Sequence, residues 1–402
     1  MPLKECLVMG HPTLNQNVRN AALAFANAGV LEIFHTTIDT TSMTFLPRGR
    51  LFDEVKRRSL PKKVSDLTSQ HPFLELNRLI GSRYLGKLNL PTPSILQIYE
   101  QIDKAMARSV TPFTTKIFGY EDGSKFSFVK AASEGIEAVY DLPTGYWRAK
   151  EVIFARDREN SETWWGASKS FETSEEQQQN KDLEVSLASK IIVASKFTAN
   201  TLELSPHKLP NLQVVPYGSG MPSRNIAPRL NGTRKLEILY VGAITQRKGL
   251  AYLFQAIKPL QNSCNLTLIG MDHSESQILT QNANQHTWHR SLPHAEVLSK
   301  MRTSDVLVFP SLFEGFGLVI TEALSQGLPV ITTTNTAGPD LISHGENGWI
   351  VPAHDHGAIQ ELLESIIRGH ANLDDMKERA FVSSKRRNWT HYQKDVFNAV
   401  FG

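Results

Sequence analysis

Between residues 236 and 353, short apolar runs alternate with stretches of helical spacing, and that alternation leaves few folds open. "LEILYVG" (236–242) and "NLTLIG" (265–270) are apolar runs closed by glycine, and "DVLVFPS" (305–311) is hydrophobic almost throughout. "LPVITT" (328–333) and "GWIVPA" (348–353) are of the same type. Between them, "KGLAYLFQAIKPL", "LPHAEVLSKMRTS" and "HGAIQELLESIIRG" carry apolar residues at the helical period. Strands apolar on both faces need cover on both faces, which predicts a parallel sheet between helical layers. Right-handed crossovers then give a doubly wound α/β domain, whose ligands bind beyond the carboxyl ends of its strands.

The first half repeats this pattern less clearly. "ECLVMG" (5–10) reads as a strand, "NVRNAALAFANAG" (17–29) as its helix and "LEIFHTT" as the next strand. "SEGIEAVYDLPTG", "ASKIIVASKFTANTLEL" (188–204) and "LQVVPYG" (212–218) continue it. The expected organisation is α/β with two Rossmann-like units, 1–218 and 235–380. A Gly-, Pro-, Ser- and Arg-rich linker joins them at 219–234. Residues 381–402 read as a C-terminal helix with Trp389, Tyr392, Val396 and Val400 on one stripe, packing back towards the first unit.

Composition narrows the setting. A net charge of +3 gives no argument for nucleic acid, and two distant cysteines, Cys6 and Cys264, exclude a disulfide framework. No window approaches 18 uninterrupted apolar residues, so the expectation is a soluble, cytoplasmic chain. Segment 48–63 holds seven basic residues against two acidic ones. It reads either as a patch for anionic lipid, with peripheral contact at the inner membrane face, or as a solvated helix and loop.

The chemistry concentrates in "FPSLFEGFGLVITEALSQGLPVITT" (309–333). A helix starting near Gly317 has unpartnered first amides and a dipole, which together suit a phosphate. Gly315 and Gly317 let the backbone come close to it. Eight helical residues span roughly 12 Å, so Glu314 and Glu322 do not read as an acid/base pair on one bond. They read as two grips on the hydroxyls of one elongated ligand. Arg247 and Lys248, after Gly242 and the first strand of this unit, would neutralise a diphosphate leaving group.

"VGAITQRKGL", "SDVLVFPSLFEGFGLVITEALSQGLPVI" and "AGPDLISHGENGWIVPAHD" resemble the donor domain of the family-4 glycosyltransferases, retaining enzymes of GT-B architecture. The resemblance is strong over 236–368 and covers 1–218 by position only. It implies that Glu322 binds ribose, that Glu314 binds the donor sugar, and that main chain at Phe316, Gly317 and Leu318 lies close to sugar and phosphate. It implies that Arg247 and Lys248 hold the diphosphate of a UDP- or GDP-linked sugar as co-substrate, with no metal or other cofactor. The expected reaction is hexose transfer to a saccharide or lipid-linked acceptor with retention, in cell-surface polysaccharide or glycolipid synthesis. Many members carry a further arginine where this chain has Ala243.

On the acceptor side, Gly10, His11 and Asn15 would face the diphosphate, and Asp141 would accept a proton or orient the acceptor hydroxyl. Arg156 and Arg158, in "FARDRENSETWW" (154–165), read as anion contacts or as a surface loop. Asp157-x-Glu159 is the nearest approach to an Asp-x-Asp metal motif, and His286, His289 and His294 lack metal-ligand spacing. Trp288 and His289 would border the nucleobase. A dinucleotide-dependent oxidoreductase lacks its G-x-G-x-x-G here. A non-catalytic sugar-nucleotide-binding protein and an epimerase or hydrolase of similar fold stand as alternatives.

Overall fold

Thirteen strands in the described residues form two wholly parallel sheets. The computed structural model describes residues 5–42, 58–81, 92–165, 173–220, 235–274 and 276–402. The N-terminal sheet comprises β1 (Leu7–Gly10), β2 (Leu31–Thr36), β3 (Thr68–Gln70), β4 (Lys116–Tyr120), β5 (Glu137–Leu142), β6 (Lys190–Val193) and β7 (Asn211–Val214). Its order is β3-β2-β1-β4-β5-β6-β7. The C-terminal sheet comprises β8 (Leu236–Val241), β9 (Cys264–Ile269), β10 (Thr287–His289), β11 (Val306–Phe309), β12 (Val330–Thr333) and β13 (Gly348–Val351). Its order is β10-β9-β8-β11-β12-β13. In each sheet the first strand lies inside and the order reverses beside it, so each has a topological switch point, at β1/β4 and at β8/β11.

β1, β11 and β12 are buried along their whole length, as strands covered by helices on both faces must be. Three large apolar cores result. One lies on each face of the N-terminal sheet, and one fills the C-terminal half. The helix Trp389–Phe401 opens with a capping box at Asn388 and buries Tyr392, Val396, Ala399 and Val400 against the N-terminal sheet and the helix Gln16–Ala28.

Three structural facts differ from the sequence reading or fall outside it. Residues 154–165 form no surface loop; they end the helix Trp147–Trp165, whose Ala149, Phe154 and Trp165 join the C-terminal core. Of the basic segment, residues 48–57 lie outside the described residues. Its Arg58 turns inward, pairing with buried Glu75 at 2.5 Å. Residues 221–234 of the expected linker also lie outside the described residues. Among the described residues, no helix is long and apolar enough to cross a membrane.

Candidate functional site between the two sheets

A cavity of about 560 Å³ opens where the two switch points face each other. The N-terminal half contributes His11 after β1 and Tyr120 at the end of β4. The C-terminal half contributes Gly242 and Ala243 after β8 and Phe309 at the end of β11. Asn15, Arg247, Lys248, Glu314, Phe316, Gly317 and Leu318 complete the sequence-predicted residues in its walls.

The phosphate seat has the expected local form. Gly317 adopts φ 85°, ψ 68° and precedes the helix Leu318–Ser325, a left-handed conformation that glycine enters without Cβ strain. The Ile320 amide bonds back to the Gly317 carbonyl at 2.9 Å, and the helix's first amides have no intrahelical acceptor. Across from them, Lys248 Nζ forms an ion pair with Glu314, Ser311 Oγ lies 3.4 Å from the same carboxylate, and Arg247 Nη1 lies 3.9 Å from it. Burial alone would raise the Glu314 pKa, but Lys248 and Arg247 hold it below the usual carboxylate value. Burial pushes the Lys248 ammonium down, against the pull of Glu314. Arg247 Nη1 also donates to the Phe313 carbonyl at 3.1 Å.

Glu322 stands apart from this cluster. It lies within the helix Leu318–Ser325, is not among the cavity's walls, and has His294 Nε2 at 3.1 Å. Burial raises its pKa, with His294 opposing. Trp288 and His289 also lie outside the cavity walls. Trp288 Nε1 donates to the Gly270 carbonyl at 2.8 Å, and Arg290 stacks on its ring at 4.0 Å. Gly10 does not face the cleft: a Cβ there would meet Met106 Sδ at 2.7 Å, so its smallness serves packing of the helix Ile95–Arg108. His11 is buried; Thr13 engages its Nδ1, and burial lowers its pKa to about 4.

Sequence reasoning misses the seam that fixes the Glu314 turn. Ser195 Oγ and Thr198 Oγ1, both fully buried in the N-terminal half, donate to the Gly315 carbonyl at 2.6 and 2.9 Å. Phe313 packs edge-on against Phe154 and Phe197, and Phe316 packs against Tyr217. The two phenylalanines of "FEGFG" are thus anchors in the other half of the chain. In sequence, Ser195 carries only the signature of a helix N-cap, a role it also fills by accepting from the Thr198 amide at 3.1 Å.

Asp141, at the end of β5, pairs in register with Tyr120 and is not itself a cavity wall. It is 2% exposed, and its Oδ2 has no hydrogen-bond partner among the described residues. Burial pushes its pKa up to about 8. A carboxyl raised in the folded state stabilises fully below its unfolded pKa, and that contribution is lost as pH rises through the folded value. Asp141→Asn is therefore expected to melt with the wild type near pH 4 and above it at pH 9. The gap should open between those limits; a carboxyl raised from 3.8 to about 8 corresponds to on the order of 5 kcal/mol, or roughly 10 °C or more in a domain of this size. Thermal melts across that range check it; a gap independent of pH would show that the carboxyl does not titrate there.

Residues 224–382 match the family described as glycosyl transferases group 1. The C-terminal half belongs to that family. Within this glycosyl transferase half, the chain is 35% identical over 162 residues to the capsular polysaccharide biosynthesis glycosyltransferase CapM of Staphylococcus aureus, covering 37% of this chain and 40% of that protein. The alignment therefore spans well under two thirds of the relative's length. Two solved structures match almost end to end. Sucrose-phosphate synthase from Thermosynechococcus elongatus has a TM-score of 0.64 at 17% identity, covering 98% of both chains. HepE of Anabaena, in complex with UDP-glucose, has a TM-score of 0.62 at 13% identity, covering 98% of both chains. They carry the fold: the glycosyl transferase half and the N-terminal half together have GT-B architecture.

Proposed function

We propose that this chain transfers a hexose from a UDP- or GDP-linked sugar to a hydroxyl of a saccharide or lipid-linked acceptor, with retention, in the synthesis of a cell-surface polysaccharide. The observation that carries this reading is the convergence of Lys248, Arg247 and Glu314 on the Gly317–Leu318 helix start at the β8/β11 switch point. Two cations and free helix amides suit a diphosphate, while a carboxylate held ionised beside them suits sugar hydroxyls. The names of CapM and of the HepE complex agree with a nucleotide-sugar donor and a polysaccharide product.

In this reaction the bond between the anomeric carbon and the diphosphate oxygen breaks as the bond to the acceptor oxygen forms. The acceptor proton leaves with the diphosphate. Arg247 and Lys248 meet the charge that develops on the leaving group, without a metal ion. Glu314 orients the sugar, and Glu322 takes the ribose once His294 is displaced. Asp141, held neutral below about pH 8 and paired in register with Tyr120, is no base at neutral pH, so its part is to orient groups near Tyr120. Trp288 and His289 border the base.

The test is a thermal-shift screen against UDP- and GDP-sugars, followed by transfer assays with the donor that shifts most. A donor at 100 times its Kd stabilises by about 2.7 kcal/mol through mass action. Melting unchanged by every donor would overturn the reading. Hydrolysis without transfer to any saccharide or lipid-linked acceptor would favour the hydrolase alternative.

A further inference from the structure

Asp157 is the residue that the sequence offers as half of a weak metal motif. It lies on the helix Trp147–Trp165, fully buried, and its carboxylate is surrounded by polar partners. Oδ2 accepts from Trp165 Nε1 at 2.7 Å and from Gln246 Nε2 at 2.9 Å. Oδ1 accepts from the Tyr252 hydroxyl and has His354 Nδ1 at 2.8 Å. Three of these four partners belong to the glycosyl transferase half. Burial would raise the Asp157 pKa, but His354, Tyr252 and Gln246 hold it below the usual carboxylate value.

Apolar packing already joins this helix to the C-terminal core through Ala149, Phe154 and Trp165. A buried charge is weak evidence for added stability, and its best-attested use is to fix one arrangement among several. Gln246 shows which arrangement is fixed. It opens the turn Gln246–Lys248, is 2% exposed, and its Oε1 accepts from the Ala251 amide at 3.3 Å. Its amide thus ties Asp157 to the first turn of the helix Leu250–Ile257, with Arg247 and Lys248 held between those two points.

The geometry points to Asp157 as a positioning residue for the donor diphosphate: through Gln246 it sets the turn that presents Arg247 and Lys248. Affinity for the diphosphate then depends on a carboxylate from the other half of the chain. This rests on the reading of Arg247 and Lys248 given under Proposed function.

Calorimetry with UDP and with GDP on the full chain tests it. Asp157→Asn keeps the shape but leaves its amide facing donors, and it is expected to weaken nucleotide binding about 10- to 100-fold. Gln246→Leu breaks the same link while leaving Asp157 its other three partners, and it serves if Asp157→Asn does not fold. Trp165→Phe removes a partner of Asp157 without touching Gln246, so it should lower the melting temperature and leave affinity within about threefold. Wild-type affinity in Asp157→Asn or Gln246→Leu, or an equal loss in Trp165→Phe, would each overturn the positioning role. A wild type that binds neither nucleotide would instead overturn the diphosphate site itself, and this inference with it.

Discussion

Replacing Lys248 with methionine is expected to lower sugar transfer about 10³-fold, the scale of removing one preorganised charge from a leaving group. Two effects combine in that variant, and they can be separated. Lys248 is 9% exposed and paired with Glu314, so removing it strands a buried carboxylate. Breaking such a pair from one side costs about 3–5 kcal/mol where burial is complete, and less where the pair borders a cleft. Glu314→Gln removes the stranded charge. The double variant Lys248→Met, Glu314→Gln should therefore recover much of the melting temperature lost in Lys248→Met. Its transfer rate should stay at or below that of either single variant, because both changes remove contacts to the donor. Steady-state kinetics and thermal melts on the four proteins check this. If transfer returned together with stability, the pair would be a structural ion pair that happens to line the cleft.

Most of the C-terminal sheet is legible in the sequence because β8, β9, β11, β12 and β13 are short apolar runs between helices of clear period, a local signal, whereas the three-residue edge strand β10 is no apolar run. Arg247, Lys248, Glu314 and the Gly317 helix start are legible because their spacing within two short loops is itself the signal. The seam is not. Ser195, Thr198, Tyr217 and Asp157 act on residues about 90 to 120 positions away, and nothing in "SKFT" or "ARDRE" separates a buried interdomain donor or acceptor from an ordinary helix cap or surface charge. Gly10 misleads for a related reason. A glycine ending a first strand suggests a ligand, but a Cβ here would strike Met106, some 96 residues further on. Contacts made across long sequence separations leave no periodicity to read. The helix Trp147–Trp165 reads as a loop over 154–165 because it is predominantly polar, and its few buried apolar residues face the other half of the chain.

Gly315→Ala should act on that seam with little change in chemistry. A Cβ at Gly315 would lie 1.8 Å from the Pro143 carbonyl oxygen and 2.7 Å from Thr144 Cα. Both are main-chain atoms, so no rotamer relieves the clash and the two loops must separate. The Gly315 carbonyl would then leave Ser195 and Thr198, and Glu314, one residue earlier, would shift against Lys248. A displacement of about 1 Å at a reacting centre costs about 10²-fold in rate, and that is the fall expected in transfer. Arg247 donates to the Phe313 carbonyl and the Gly317 helix start lies on the same turn, so UDP or GDP affinity should also fall, but by less than the transfer rate. Ser195→Ala with Thr198→Val loosens the same carbonyl without a clash and should give a smaller loss of the same kind. Kinetics with intact donor, set beside calorimetry with the nucleotide alone, separates the two effects. Full transfer activity in Gly315→Ala would mean that the seam is open when the sugar moves, and that the N-terminal half does not hold the Glu314 turn during transfer.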